Sequence, residues 1–180
     1  MTRKVDLQLP TLLKIKVMII GEKGVGKTCL LRRYVNGKSA SMNTEPTIGI
    51  DFLAQRRDVD DKPAYIHYWD ISGDEFYTEV RNEFYTETTV IVFVYDVTNK
   101  DTFTQVQAWI DEAKRHNADL VGSAIFGNQK DGPSRVTQTE AESLAKANGL
   151  AHFTVCAKSG EGLSDAFEAV IRAAAKKVET

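Results

Sequence analysis

The sequence predicts one α/β domain built on a six-stranded, mostly parallel sheet, with one antiparallel hairpin strand and helices on both faces. Three observations carry that expectation. Apolar, β-branched runs of buried-strand character recur along the 180 residues, helical periodicities fill the gaps between them, and one turn-rich tetrad joins two runs directly. A chain of this length can bury one proper core, and no domain-scale repeat or low-complexity linker divides it.

Residues 1–13 carry a charge every few positions and read as a flexible leader ahead of a domain over 14–180. KIKVMII (14–20) is an apolar run that stops at Gly21, as a buried parallel strand does. From Lys27, TCLLRRYV has helical spacing and breaks at Asn36-Gly37. GIDFLAQRRDV and AYIHYWD flank Asp60-Asp61-Lys62-Pro63 and read as a hairpin. Three further strands are expected at 89–96, 120–127 and 151–157. Between and after them come a helix with apolar positions at Phe103, Val106, Trp109 and Ile110, one over 139–148 ending at Gly149, and one over 163–178. The pentapeptide EFYTE occurs at 75–79 and again at 83–87. Coincidence accounts for it, although a spacing of eight, close to two helical turns, would put its aromatics on one face.

Charge and composition exclude several classes. With 23 basic and 25 acidic residues the net charge is −2, and no block of one sign offers a nucleic-acid or polybasic membrane surface. No run of about 18 apolar residues is present, the N-terminus lacks an apolar signal core, and the final AAAKKVET has no cysteine to prenylate. A monomeric cytoplasmic protein without direct membrane insertion is expected. Cys29 and Cys156 read as free thiols, explained by packing or ligand contact rather than redox work. His67, His116 and His152 lack paired metal-ligand spacing, and Trp69 and Trp109 read as packing.

The first chemical signal is GEKGVGKTC. Its fixed positions Gly21, Gly26, Lys27 and Thr28 match a phosphate-binding loop, between a predicted strand and a predicted helix as that motif requires. Backbone N–H groups from Glu22, Lys23, Gly24, Val25 and Gly26 would curl around phosphate oxygens, and the helix N-terminus through Cys29 adds favourable partial charge. Lys27 would reach the β- and γ-phosphates, and the Thr28 hydroxyl would ligate Mg²⁺. The loop alone does not choose between ATP and GTP.

In order along the chain stand GEKGVGKT, PTIGIDF, WDISGDE, YDVTNKDTF, GNQKD and CAKSGEG. With these pieces the sequence resembles the small GTPases of the Ras superfamily, their Rab-like branch, from Lys14 to about Lys177. EVRNEFY and the altered Gly-Asp-Glu add a resemblance to the Rab-like subgroup that carries a J domain. The resemblance implies the three-layer P-loop nucleotide-triphosphatase fold and GTP or GDP with Mg²⁺ as ligands. Asn128 and Asp131 would read guanine, with Asp131 accepting from N1 and N2 of the base. Cys156, Ala157 and Lys158 would match the Ser-Ala-Lys loop, the Ala157 N–H facing the base oxygen and the Lys158 stem packing on the ring. Thr47, Asp70 and Gly73 would be the switch residues: Thr47 and Asp70 at Mg²⁺, Gly73 N–H on the γ-phosphate. Taken alone, Asn-x-x-Asp is equally an ordinary turn and Ala-Lys-Ser-Gly an ordinary loop.

The departures from the family pattern bear on activity. Gln129 replaces the lysine that stacks on guanine, with Lys130 one step later, and Cys156 replaces serine, so weaker nucleotide affinity is expected. Asp74 occupies the place of the glutamine that orients the attacking water. An ionised carboxylate accepts but does not donate, and brings negative charge toward an anion. Lys23, where a small residue is usual, has three readings open: neutralising phosphate, pairing with Asp74, or pointing into water. The expected function is a regulatory GTP switch with slow hydrolysis, its catalytic set Lys27, Thr47, Gly73 and Asp74. Its implied partners are effectors that read the two switches, an exchange factor and an activating protein. Phe76, Tyr77, Phe84 and Tyr85 flank the second switch, either as effector contacts or as packing. The alternative is a nucleotide-stabilised scaffold that never cycles. A P-loop kinase is remote, since no acceptor site or lid-like arginine cluster is visible.

Overall fold

The structure is a computed structural model that describes residues 12–37, 45–129 and 131–179. Chain order gives β1 (Leu13–Ile20), α1 (Lys27–Asn36), β2 (Ile50–Val59), β3 (Lys62–Ile71), a 3-10 turn (Glu75–Tyr77), α2 (Thr78–Asn82) and β4 (Val90–Asp96). There follow α3 (Lys100–Thr104), α4 (Val106–Arg115), β5 (Ala124–Asn128), α5 (Gln138–Ala147), β6 (Ala151–Val155) and α6 (Leu163–Val178). Six strands form one sheet in the order β2-β3-β1-β4-β5-β6, parallel except for β2 against β3. The expected six-stranded, mostly parallel architecture is what the chain adopts.

Strand alternation sorts the core into two layers. Ile15, Val17 and Ile19 of β1 face Leu30 and Leu31 of α1 and Phe167, Val170 and Ile171 of α6. Met18 and Ile20 face the other way, with Phe93 and Tyr95 of β4, toward Trp109 and Ile110 of α4 and Ala141 of α5. All seven residues of β4 are buried, as a central parallel strand requires. Phe167 anchors the first layer, stacked on Tyr34 at 4.3 Å and edge-on to Phe126 at 5.2 Å. Truncating such a ring to alanine costs about 3–5 kcal/mol. No helix among the described residues is long and apolar enough to cross a membrane.

Several boundaries differ from expectation for local reasons. The hairpin turn is only Asp60-Asp61, both left-handed at φ 47° and 63°, so Lys62 and Pro63 belong to β3 and pair with Val59 and Asp58. β5 begins at Ala124 rather than 120, because the Ser123 N–H closes a turn onto Leu120 O (2.9 Å) and the Ser123 hydroxyl accepts from Ile91 N–H (2.8 Å). The EFYTE repeat does not build one helical face. Its first copy spans the 3-10 turn and the start of α2, its second lies beyond α2, and Phe76 is 83% exposed whereas Tyr85 is 1%. The leader up to residue 11 and Lys130 lie outside the described residues.

Candidate functional site

The carboxyl ends of β1, β3, β4, β5 and β6 open toward one edge, where the chain leaves β1 in one direction and β4 in the other, the place where open α/β sheets hold ligands. A cleft of about 1050 Å³ lies there. Its walls include Lys23, Gly24, Gly26, Lys27, Thr28 and Cys29 of the loop after β1, and Thr47, Gly73, Asp74, Asn128, Gln129, Asp131, Ala157 and Lys158 from four later segments. Glu45, Pro46, Ile48 and Ser72, not singled out in the sequence, also line it, as does Tyr77.

The loop reaches α1 through Gly26, whose left-handed backbone (φ 95°) leaves the helix without a side-chain cap and without an acidic residue in its first turn. The N–H groups there remain available to an anion. Lys27 is buried, and its Nζ donates to Gly21 O and Glu22 O, both at 2.8 Å. Burial pushes its pKa down to about 8, against the raising influence of Asp70 and Glu22. Gly73 is pressed onto the same loop: a Cβ there would meet Gly21 O at 2.3 Å and Lys23 N at 2.5 Å, so no other residue fits without backbone movement.

Thr28, Thr47 and Asp70 converge. Thr28 Oγ1 donates to Asp70 Oδ2 at 2.5 Å and lies 2.9 Å from Thr47 Oγ1. Burial pushes the Asp70 carboxyl up, opposed by the Thr28 hydrogen bond and Lys27. Asp70 Oδ1 is buried without a hydrogen-bond partner. Two hydroxyls and one carboxylate, completed by phosphate oxygens and water, fit Mg²⁺, and the orphaned Oδ1 is the oxygen such an arrangement would satisfy. No group of three or more His, Cys, Asp or Glu placed to hold a metal occurs among the described residues, and the three histidines stay dispersed. The segments that carry Thr47 and Gly73 touch through Ser72 N–H, which donates to Gly49 O at 2.8 Å.

At the opposite end Asn128 is a clamp: its Nδ2 donates to Val25 O (2.8 Å) and its Oδ1 accepts from Ala157 N–H (3.2 Å). The Ala157 amide, expected to face a base oxygen, is thus directed at Asn128 here. Both Asp131 oxygens accept from Lys158 Nζ, at 2.9 and 3.0 Å, in an exposed pair. Gln129 donates through Nε2 to Gly132 O at 3.1 Å. Cys156 Sγ accepts from Ser159 N–H at 3.5 Å, and Cys29 stands on the cleft wall, so both thiols sit in packing or lining positions.

Asp74 does not pair with Lys23. Its Oδ1 accepts the Phe76 N–H at 3.0 Å and so caps the 3-10 turn, while Lys23 is exposed at the rim. The four aromatics divide. Tyr85 is buried with its hydroxyl donating to Glu112 (2.8 Å), Phe84 packs on Trp69 at 4.8 Å between centroids, Tyr77 lines the cleft, and Phe76 stands in solvent. Trp69, read as packing, also meets exposed Phe52 at 4.8 Å, forming a row Phe52–Trp69–Phe84 across β2, β3 and the segment after α2. Sequence reasoning missed Arg81 altogether: it is buried, held at Nε and Nη2 by Glu112 at 2.7 and 3.2 Å. No spacing rule joins residues 31 apart on different helices.

The chain is similar to the Ras-related protein Rab-26 of Bos taurus, 37% identical over 159 residues that cover 87% of this chain and 62% of that one. It is similar to the probable Ras-related protein Rab-4A of Echinococcus multilocularis, 35% identical over 168 residues, 92% of this chain and 75% of that one. It is also similar to DnaJ homolog subfamily C member 27-A of Xenopus laevis, 34% identical over 164 residues, 87% of this chain and 60% of that one. The chain therefore spans less than two thirds of the length of the first and third of these relatives. Rab-named and DnaJ-named relatives side by side agree with the Rab-like, J-domain-associated resemblance. A sequence profile of the Ras family matches residues 16–176, and the chain belongs to that family.

Proposed function

We propose that this protein is a guanine-nucleotide switch that holds GTP or GDP with Mg²⁺ in the cleft and hydrolyses GTP slowly. The observation that carries the reading is the meeting of Thr28, Thr47 and Asp70 beside buried Lys27, three segments of the chain brought to one point with Asp70 Oδ1 left unpartnered, an arrangement that suits a metal–phosphate group. A phosphate placed there would favour the charged form of Lys27, which burial disfavours. When bound, Mg²⁺ would neutralise phosphate charge. Loss of the γ-phosphate would free Thr47 and Gly73, and with them the surfaces that effectors, an exchange factor and an activating protein read. Exposed Ile48 and Phe76 flank those segments.

Slow hydrolysis follows from Asp74. Its carboxylate has no N–H to offer the phosphate, carries like charge, and is drawn into capping the Phe76 amide. Intrinsic turnover in such switches is already on the order of 10⁻⁴ per second with the glutamine present. Single-turnover conversion of GTP by purified protein is expected to be slower than that, and Asp74→Gln, alone or with Lys23→Gly, to raise it about tenfold. Wild-type conversion as fast as the glutamine variant overturns the assignment. The same cap favours a second reading, a scaffold that binds nucleotide without cycling. Equal partner affinity in the GTP and GDP states would select it.

A further inference from the structure

One side chain outside the cleft touches both the phosphate loop and the second switch. Trp109 of α4 is 7% exposed. Its edge faces the loop, with Nε1–H donating to Glu22 Oε1 at 3.0 Å. Its face carries the Arg81 guanidinium, 4.5 Å from the ring centroid. Arg81 is itself immobilised by Glu112 and by the Thr78 hydroxyl at 3.2 Å, and Glu112 also accepts from Tyr85. The indole is therefore caged on one side while its single polar atom holds the Glu22 side chain of the loop.

We infer that Trp109 is a positioning residue for nucleotide retention: by holding the Glu22 side chain it fixes the backbone of the phosphate loop in the curve that meets the phosphates. This rests on the cleft being the nucleotide site. The Glu22 backbone is constrained from inside, since its carbonyl accepts from Lys27 Nζ at 2.8 Å and its carbonyl carbon lies against Gly73. Trp109 supplies the restraint from outside. A nest of N–H groups binds an anion in proportion to how little it must be ordered on binding, so loss of the outer anchor shows as faster ligand release. A Trp109 that only fills the core would act through overall stability instead.

The discriminating experiment measures release of a fluorescent N-methylanthraniloyl GDP into excess unlabelled GDP with Mg²⁺, for wild type, Trp109→Phe, Glu22→Ala, the double variant and Glu22→Gln, with thermal unfolding of each. Phenylalanine keeps a ring under Arg81 and deletes the donor together with part of the indole's volume, whereas Glu22→Ala removes the acceptor and leaves the indole intact. Each of Trp109→Phe and Glu22→Ala is expected to speed release about fivefold, the double no more than either alone, and Glu22→Gln, which keeps an acceptor oxygen, to stay near wild type. Glu22→Ala leaves the indole in place, so it tests the anchor even if Trp109→Phe folds poorly. Wild-type protein that takes up no probe overturns the nucleotide reading and this inference with it. Wild type that holds the probe, with single variants releasing at its rate or with effects that multiply in the double, overturns the inference alone.

Discussion

At the phosphate end of the cleft, Lys27 is 6% exposed and Asp70 1%, and their partners are two carbonyls and a hydroxyl of the protein itself. At the base end, Asp131 and Lys158 face each other with side chains 85% and 71% exposed. The same two charges that would be worth little in water act strongly where water is excluded. On the proposed nucleotide reading the contrast would divide the work: the buried end would supply affinity for any polyphosphate, and the open end discrimination among bases at small cost in binding. Asn128 couples them, since one amide group reaches Val25 of the phosphate loop and Ala157 of the base loop.

The largest effect that tests this division is at Lys27. Methionine has similar length and no charge, and it leaves Gly21 O and Glu22 O without their donor. Lys27→Met is expected to weaken GDP by about a hundredfold or more, and to weaken xanthosine diphosphate by the same factor. Calorimetry with both ligands checks it. A change in the ratio of the two affinities would mean the ends do not divide the work.

Asp131 should behave in the opposite manner. Its carboxylate is acceptor-only and matches a base with two adjacent N–H donors, whereas asparagine presents one donor and one acceptor. Asp131→Asn is expected to weaken GDP by about tenfold and to improve xanthosine diphosphate relative to it, with the Thr28–Thr47–Asp70 corner unaffected. A uniform loss for both ligands would show that breaking the Lys158 pair, rather than losing a base contact, is what the substitution does.

The two ends were also unequally legible in the sequence. Gly21 to Thr28 could be read directly, because a tight loop between a buried strand and a helix needs those residue types at those intervals. The sheet was legible for the same local reason: β-branched runs such as VIVFVYD (89–96 as read, Val90–Asp96 as built) state their burial. What escaped was whatever depends on long-range contact. Trp109 and Glu22 are 87 residues apart, Arg81 and Glu112 are 31 apart, and no periodicity marks either pair. A buried arginine in an otherwise acidic stretch, TEVRNEFYTE, looks in sequence like one more surface charge. The split of the α3 and α4 region, where Gln105 is both the C-cap of one helix and the N-cap of the next, was likewise hidden, because its backbone stays near helical (φ −77°, ψ −14°).

The smallest expected effect concerns Gln129. In the family pattern a lysine at this place lies over the base, and here the Gln129 side-chain amide donates back to Gly132 O instead. Replacing it, Gln129→Lys, adds a positive charge beside an aromatic ligand at an open site, a contact worth roughly 0.5–1 kcal/mol, or a gain of about threefold in GDP affinity. The gain should be greater for GDP than for ribose diphosphate lacking a base, since the contact is with the ring and not with phosphate. An equal gain for both would place the new charge on the phosphates. The base end would then contribute to affinity by long-range attraction, contrary to the division drawn from the exposure of Asp131 and Lys158.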